Sequence, residues 1–275
     1  MQLIRAAALS AVVTLSLLAS GCGGTDDPAP AAESSRSAPA GDSTSSAPAT
    51  PGPKVVASTS WVGALAKAAG ASEVTLIAPA DAANPPEHKP KAAALKAAAD
   101  ADYVLYAKTD RFAPELIRAV GDRSELIEVL PAEVTPGKIT SEVTRLGTTF
   151  GTSEAAKAWL STFNAEYTKL SGQTKAALPN PAPTAVSELF VGFWGSFAGI
   201  EVTEVYGPQP VTASERADLT AKKPTLVFTN AHTPGVDPKI PGVTRVKLVN
   251  YPGEDLDLLG VFRTNTERLT AALAG

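Results

Sequence analysis

The sequence predicts an α/β fold of two lobes with mostly parallel sheets, joined by a long helical segment, with a ligand cleft between the lobes. Three observations predict it. Short apolar runs alternate with helical segments from Val55 to Leu130, the pattern of βαβ units feeding a parallel sheet. The alternation resumes at Thr184 and runs to Val249. Between the two sets no strand signal occurs, and apolar residues fall at helical spacing: Ile139, Val143, Leu146 and Phe150, then Trp159, Phe163 and Tyr167 with Leu160 and Leu170 beside them. The boundaries read from this are an N-terminal lobe over 54–138, a connecting helical segment over 139–180 and a C-terminal lobe over 181–275.

In the first lobe Val55–Ser58 reads as a buried strand and Trp61–Ala69 as a helix. Glu73–Ala78, Tyr103–Tyr106 and Leu126–Leu130 are the next strands, separated by helices over Lys91–Ala99 and Pro114–Val120. In the connecting segment Gly147 and Gly151 interrupt the helical run, with Thr152 or Ser153 as the cap of a second helix. Pro179–Pro183 ends it. The second lobe has strands over Thr184–Ser187, Glu201–Val205, Thr225–Thr229 and Val243–Val249, then a closing amphipathic helix over Asp257–Leu273.

The chain begins with a targeting segment. Arg5 supplies positive charge, Ala6–Leu18 is a short apolar core, and Ala19-Ser20-Gly21 precedes Cys22, the only cysteine. Such a core is too short to span a bilayer, and the small residues mark a cleavage site. The arrangement resembles a bacterial lipobox, which implies a signal peptide over 1–21 and lipidation of Cys22. The stretch 22–53 lacks large apolar residues, so it has nothing to bury against the entropy of ordering. It reads as a disordered tether of roughly 30 Å root-mean-square reach. The expected location is therefore the outer face of the bacterial cytoplasmic membrane, with a lipid on Cys22 as the membrane contact.

Composition excludes several classes. With Cys22 lipidated no thiol remains for a disulfide, a thiolate metal site or a nucleophile. The formal net charge of −4 comes without a basic cluster, which argues against nucleic acid as a partner. No His-Glu-x-x-His motif, Gly-x-Ser-x-Gly elbow or phosphate loop occurs, so the chain is not read as an enzyme.

Ligands of open parallel sheets bind beyond the carboxyl ends of the strands, and the unusual polar residues fall there. Asn84–His88 follows the second strand and Asp110-Arg111 the third. Glu188 ends the first strand of the second lobe, Asn230-Ala231-His232 follows its third, and Asn250–Asp255 its fourth. The two histidines, His88 and His232, lie one in each lobe. Imidazole and carboxylate together suit Zn²⁺ or Mn²⁺, and donors divided between lobes suit a site closed by hinge motion. The metal-ligand candidates are His88, Glu188, His232 and Asp255, with Glu254 the alternative to Asp255 and helix N-terminal charge the competing role for both. Asp110 reads as a turn or capping residue. Trp61 and Trp194 fit either core packing or contact with an organic ligand, and Trp159 the buried face of the connecting helix.

Four segments, in this order and spacing, resemble the metal-binding branch of the solute-binding proteins of ABC importers. They are Lys54–Trp61 with Ala64–Gly70, Ala94–Tyr106, Ser187–Phe193 and Leu258–Leu269. The resemblance covers most of 54–275 and implies two lobes joined by a long helix. The family's first ligand is a histidine in an Asp-Pro-His-x-Tyr-Glu-Pro loop; here Asn84–Pro90 places Pro86 there and His88 two residues on. Its second is a histidine before the long helix, and Glu133–Lys138 contains none. Glu188 matches the glutamate form of the third ligand, and Asn250 stands where the fourth, an acid, is found. Val143–Gly147 and Glu154–Ala156 also resemble the related chelate-binding branch. The resemblance implies capture of zinc or manganese as transported ligand, with no catalytic cofactor, and delivery to an ABC permease and its ATPase. Two alternatives stay open: a metal chelate (siderophore, haem or corrinoid) as the cargo, and a surface lipoprotein whose metal site has decayed.

Overall fold

The computed structural model describes residues 51–122, 125–129 and 135–275. The signal segment, Cys22, the tether up to residue 50, Leu130 and Glu133 lie outside the described residues. Two four-stranded sheets carry the fold. The first contains β1 (Lys54–Ala57), β2 (Glu73–Leu76), β3 (Tyr103–Ala107) and β4 (Glu125–Val129), in the order β2-β1-β3-β4. The second contains β5 (Thr184–Glu188), β6 (Glu201–Tyr206), β7 (Leu226–Asn230) and β8 (Thr244–Leu248), in the order β6-β5-β7-β8. All their pairings are parallel, so the two sheets repeat one topology.

Helices α1 (Ser60–Ala68), α2 (Ala92–Ala99) and α3 (Ala113–Val120) belong to the first sheet. Helices α6 (Phe193–Ala198), α7 (Ala213–Ala221) and α8 (Leu258–Ala274) belong to the second. Between them run α4 (Pro136–Thr149) and α5 (Ser153–Ala176). The break falls at Phe150–Thr152, where Gly151 takes φ 71°, a conformation that suits glycine. Thr152 sits at the N-cap of α5, as its type suggests, but its hydroxyl donates to the Ala69 carbonyl at 2.5 Å instead of capping. That bond pins the α4–α5 hairpin to the end of α1.

Strand periodicity sorts side chains between two kinds of core. Val55, Ala57, Leu105, Ala185 and Phe228 face a large cluster that also contains Trp61, Phe163, Trp194, Phe197 and Phe262. Val56 and Val104 face a smaller cluster under α2 and α3, and Val186, Tyr206 and Val227 face another beside α7. The large cluster is continuous across both sheets, because α5 packs on α1 and α4 as well as on α6 and α8. Trp61 and Trp194 are 2% and 0% exposed, which settles them as core residues. Trp159 is half-buried and stacks on Phe163 at 5.1 Å.

Two helices have no counterpart among the predicted elements. Helix α7 carries a full Thr212–Glu215 capping box, yet buries only Leu219, so no apolar stripe advertises it. Helix α6 is six residues of mixed apolar and glycine sequence. Its Gly195 is a steric requirement: a Cβ there would lie 2.5 Å from Val202 Cγ2 and 2.9 Å from the Ile200 carbonyl oxygen. Gly195→Ala should therefore destabilise the protein by about 1–3 kcal/mol, the usual cost of overpacking, and thermal denaturation will show it as a lowered midpoint.

Candidate functional site

The second sheet ends in a buried polar group. Glu188 closes β5 and is 1% exposed. Its Oε2 accepts hydrogen bonds from the Phe190 N–H at 2.9 Å and from Asn230 Nδ2 at 3.2 Å. Its Oε1 is buried and has no hydrogen-bond partner. Burial pushes the carboxyl above the ordinary carboxylate range, and the two donated hydrogen bonds oppose that shift. A cavity of about 150 Å³ opens beside it, lined by Glu188, Tyr206, Asn230, Thr233, Asp237 and Lys247 among others. Thr233 Oγ1 is likewise buried without a partner.

Asn230 couples this carboxylate to the loop after β7. Its Nδ2 holds Glu188, while its Oδ1 accepts the His232 main-chain N–H at 2.9 Å. The His232 ring meets Tyr251 edge-on, with centroids 4.9 Å apart, and its Nε2 is buried without a partner. Burial, reinforced by the positive charges of Lys247 and Arg268, pushes the imidazole down to about 4. It is therefore neutral at pH 7, the state in which imidazole is a metal ligand. The shift also predicts a pH effect. Folding prefers the neutral ring, so the stability it contributes is present above the ordinary value of 6.5 and is lost as pH falls toward about 4. Denaturant unfolding across that range should show the loss, and His232→Gln should remove this part of it.

Several of the other polar groups nearby have structural partners. Tyr206 donates its hydroxyl to the Phe228 carbonyl at 2.8 Å, and Asp237 accepts from Arg245 Nε at 2.8 Å. Asp110, 3% exposed, is the turn residue its position suggests: its carboxylate accepts the Ala107 N–H at 2.8 Å. Burial raises its pKa, an effect that neighbouring Ser58 and the Ala107 bond offset in part, although Ser58 Oγ makes no hydrogen bond of regular geometry. Tyr251 is raised by burial and by the charge of Asp110, so this one side chain relates His232 to the first sheet.

Of the four candidate ligands, Glu188 and His232 are linked through Asn230 and the other two stand apart. His88 caps the short 3₁₀ turn Pro85–Glu87 and is half-buried. That turn is tied to the β3–α3 loop, with Arg111 N–H donating to the Pro86 carbonyl at 2.8 Å. Asp255 is exposed and lines a different cavity, of about 290 Å³, with Tyr251, Asp257 and Thr264. Its carboxylate accepts the Asp257 N–H at 3.1 Å, and its carbonyl accepts Lys67 Nζ at 2.6 Å. Among the described residues no group of three or more His, Cys, Asp or Glu is gathered to hold a metal ion. Asn250, where the resembled family has an acid, is 1% exposed and committed on both sides: Oδ1 accepts Trp194 Nε1 at 3.4 Å and Nδ2 donates to the Phe190 carbonyl at 2.8 Å.

Known structures share this architecture. The chain is similar to the laminin-binding protein Lbp of Streptococcus pyogenes, with TM-score 0.59 and 17% identity over 82% of this chain and 100% of that one. It is similar to Lmb of Streptococcus agalactiae, described as a bifunctional protein with adhesin and metal-transporting activity, with TM-score 0.60 and 16% identity over 81% and 100%. It is also similar to the solute-binding protein FpvC of Pseudomonas aeruginosa in complex with Mn²⁺, with TM-score 0.58 and 17% identity over 80% and 97%. At these identities the likeness establishes the fold alone, the two-sheet α/β architecture that these three structures share. No protein-family model matches the chain, and no curated protein sequence does. Among the described residues no helix is long and apolar enough to cross a membrane.

Proposed function

We propose that this protein is an extracytoplasmic solute-binding lipoprotein of an ABC importer, anchored through Cys22, which captures a divalent transition metal, zinc or manganese. The observation that carries the proposal is the Glu188 carboxyl, buried at the end of a parallel strand with Oε1 unpartnered beside a cavity. A buried acceptor without a donor costs about 1–3 kcal/mol, a cost that a cation would remove. His232 is the second donor in this reading, presented neutral and oriented by its main-chain bond to Asn230. His88 and Asp255 join only if the loops that carry them move. The fold supports the reading, because FpvC has Mn²⁺ bound in the same architecture. The permease and its ATPase are the partners, and the metal is cargo with no catalysis attached.

A second reading, capture of a metal chelate, is favoured by one observation. The described residues gather fewer than three metal-ligating side chains, whereas zinc takes four ligands. The rest would come with the cargo.

The test is thermal unfolding of metal-stripped protein with added Zn²⁺ or Mn²⁺. Ligand at a hundred times its dissociation constant stabilises by about 2.7 kcal/mol. For a domain of 150–250 residues that is a shift of about 5–10 °C. No shift with either ion would count against the proposal.

A further inference from the structure

The cavity beside Glu188 is lined by one positive charge as well as by the acids Glu188 and Asp237. Lys247 lines the same wall. In β8, Val246 and Leu248 face the core, so alternation turns Lys247 toward the opposite, cavity-bearing face. Lys247 is exposed at the edge of the cavity and its ammonium has no hydrogen-bond or ion-pair partner among the described residues, whereas the second acid of the lining, Asp237, is committed to Arg245. The cavity is about 150 Å³, a volume that holds a benzene-sized molecule and exceeds what one ion needs.

We propose that the cargo is a transition metal carrying a small dicarboxylate, with Glu188 Oε1 taking the metal and Lys247 the dicarboxylate, inside the cavity of the second sheet. This rests on the metal-capture reading above and names the chemical form of the cargo. Glu188 supplies the anionic protein ligand, the dicarboxylate completes coordination that the chain leaves open, and its outer oxygens meet the Lys247 ammonium in a charge-assisted hydrogen bond. Thr233 Oγ1, buried and unpartnered in the same lining, is the neutral donor or acceptor for the remaining oxygen.

Equilibrium dialysis at a fixed free-zinc activity, with labelled zinc and labelled malonate, tests this. The expected result is that saturating malonate tightens zinc retention by about tenfold or more, with one malonate retained per zinc. Lys247→Gln should lose both the gain and the malonate, and Lys247→Arg, which keeps the charge, should retain them. Zinc held equally well with and without malonate, in wild type and in Lys247→Gln, would overturn this inference and leave metal capture standing. Malonate held without zinc would also overturn it. Zinc retained under neither condition would overturn the inference together with the metal-capture proposal.

Discussion

Phe262→Ala is expected to lower the unfolding free energy by about 3–5 kcal/mol, the range for truncating a fully buried aromatic residue. Phe262 is 0% exposed and lies on α8 where three helices meet. Its ring centroid is 5.4 Å from Phe163 and 5.8 Å from Tyr167 on α5, and 5.1 Å from Trp194 and 6.0 Å from Phe197 on α6. Removing it opens a void that these rings, packed against one another as well, fill only in part. Asn250, hydrogen-bonded to Trp194 Nε1 and the Phe190 carbonyl, connects the same aromatic cluster to the loop after β5. Loosening the cluster should therefore also weaken metal capture at Glu188. Chemical denaturation with the slope unchanged and the midpoint lowered checks the stability effect; a loss under about 1 kcal/mol would mean that α5, α6 and α8 are held by other contacts.

Glu188→Gln should separate binding from folding, because it acts on the two in opposite directions. Burial raises the folded-state pKa of Glu188, so the folded protein holds its proton more tightly than the unfolded chain does. Stability from this group is full below the ordinary carboxylate value and is lost as pH rises through the raised one. Glutamine is neutral at every pH, and its oxygen keeps the acceptor role toward the Phe190 N–H and Asn230 Nδ2. The metal-free variant should then match or exceed wild type in stability at pH 7, while the stabilisation of about 2.7 kcal/mol by excess metal disappears. Unfolding curves of both proteins at pH 5 and pH 8, with and without Zn²⁺, check this. A variant that keeps the full metal shift would remove Glu188 from the site.

Much of this was legible in the sequence, and the parts that were not share physical causes. Strands such as Val55-Val56-Ala57 and Leu226-Val227-Phe228 are continuous apolar runs because parallel strands are covered on both faces, and their order suffices for the fold class. Glu188 stood out as an acid closing such a run. Helix α7 gives little signal because it buries a single side chain, and α6 because glycine, serine and alanine are interspersed with aromatic residues over only six positions. Proximity across strands was the harder problem. Nothing local distinguishes Asn230, which joins Glu188 to His232, from an ordinary strand-ending asparagine. Lys247 reads as the solvent side of an alternating strand until β7 and the loop after it place a cavity there. Asp255 lies in the loop before α8, where its carboxylate accepts the Asp257 N–H and its carbonyl accepts Lys67 of α1; its part in the site stays a proposal. His88 remains a proposal, since its turn belongs to the first sheet and its ring is half-buried.

The most direct measurement is the anomalous scattering of zinc in crystals of the zinc-loaded protein. Metal capture through Glu188 predicts a peak about 2.0–2.2 Å from a Glu188 carboxylate oxygen, within the cavity shared with Lys247. Anomalous density confined to other surfaces, with none at Glu188, would contradict it.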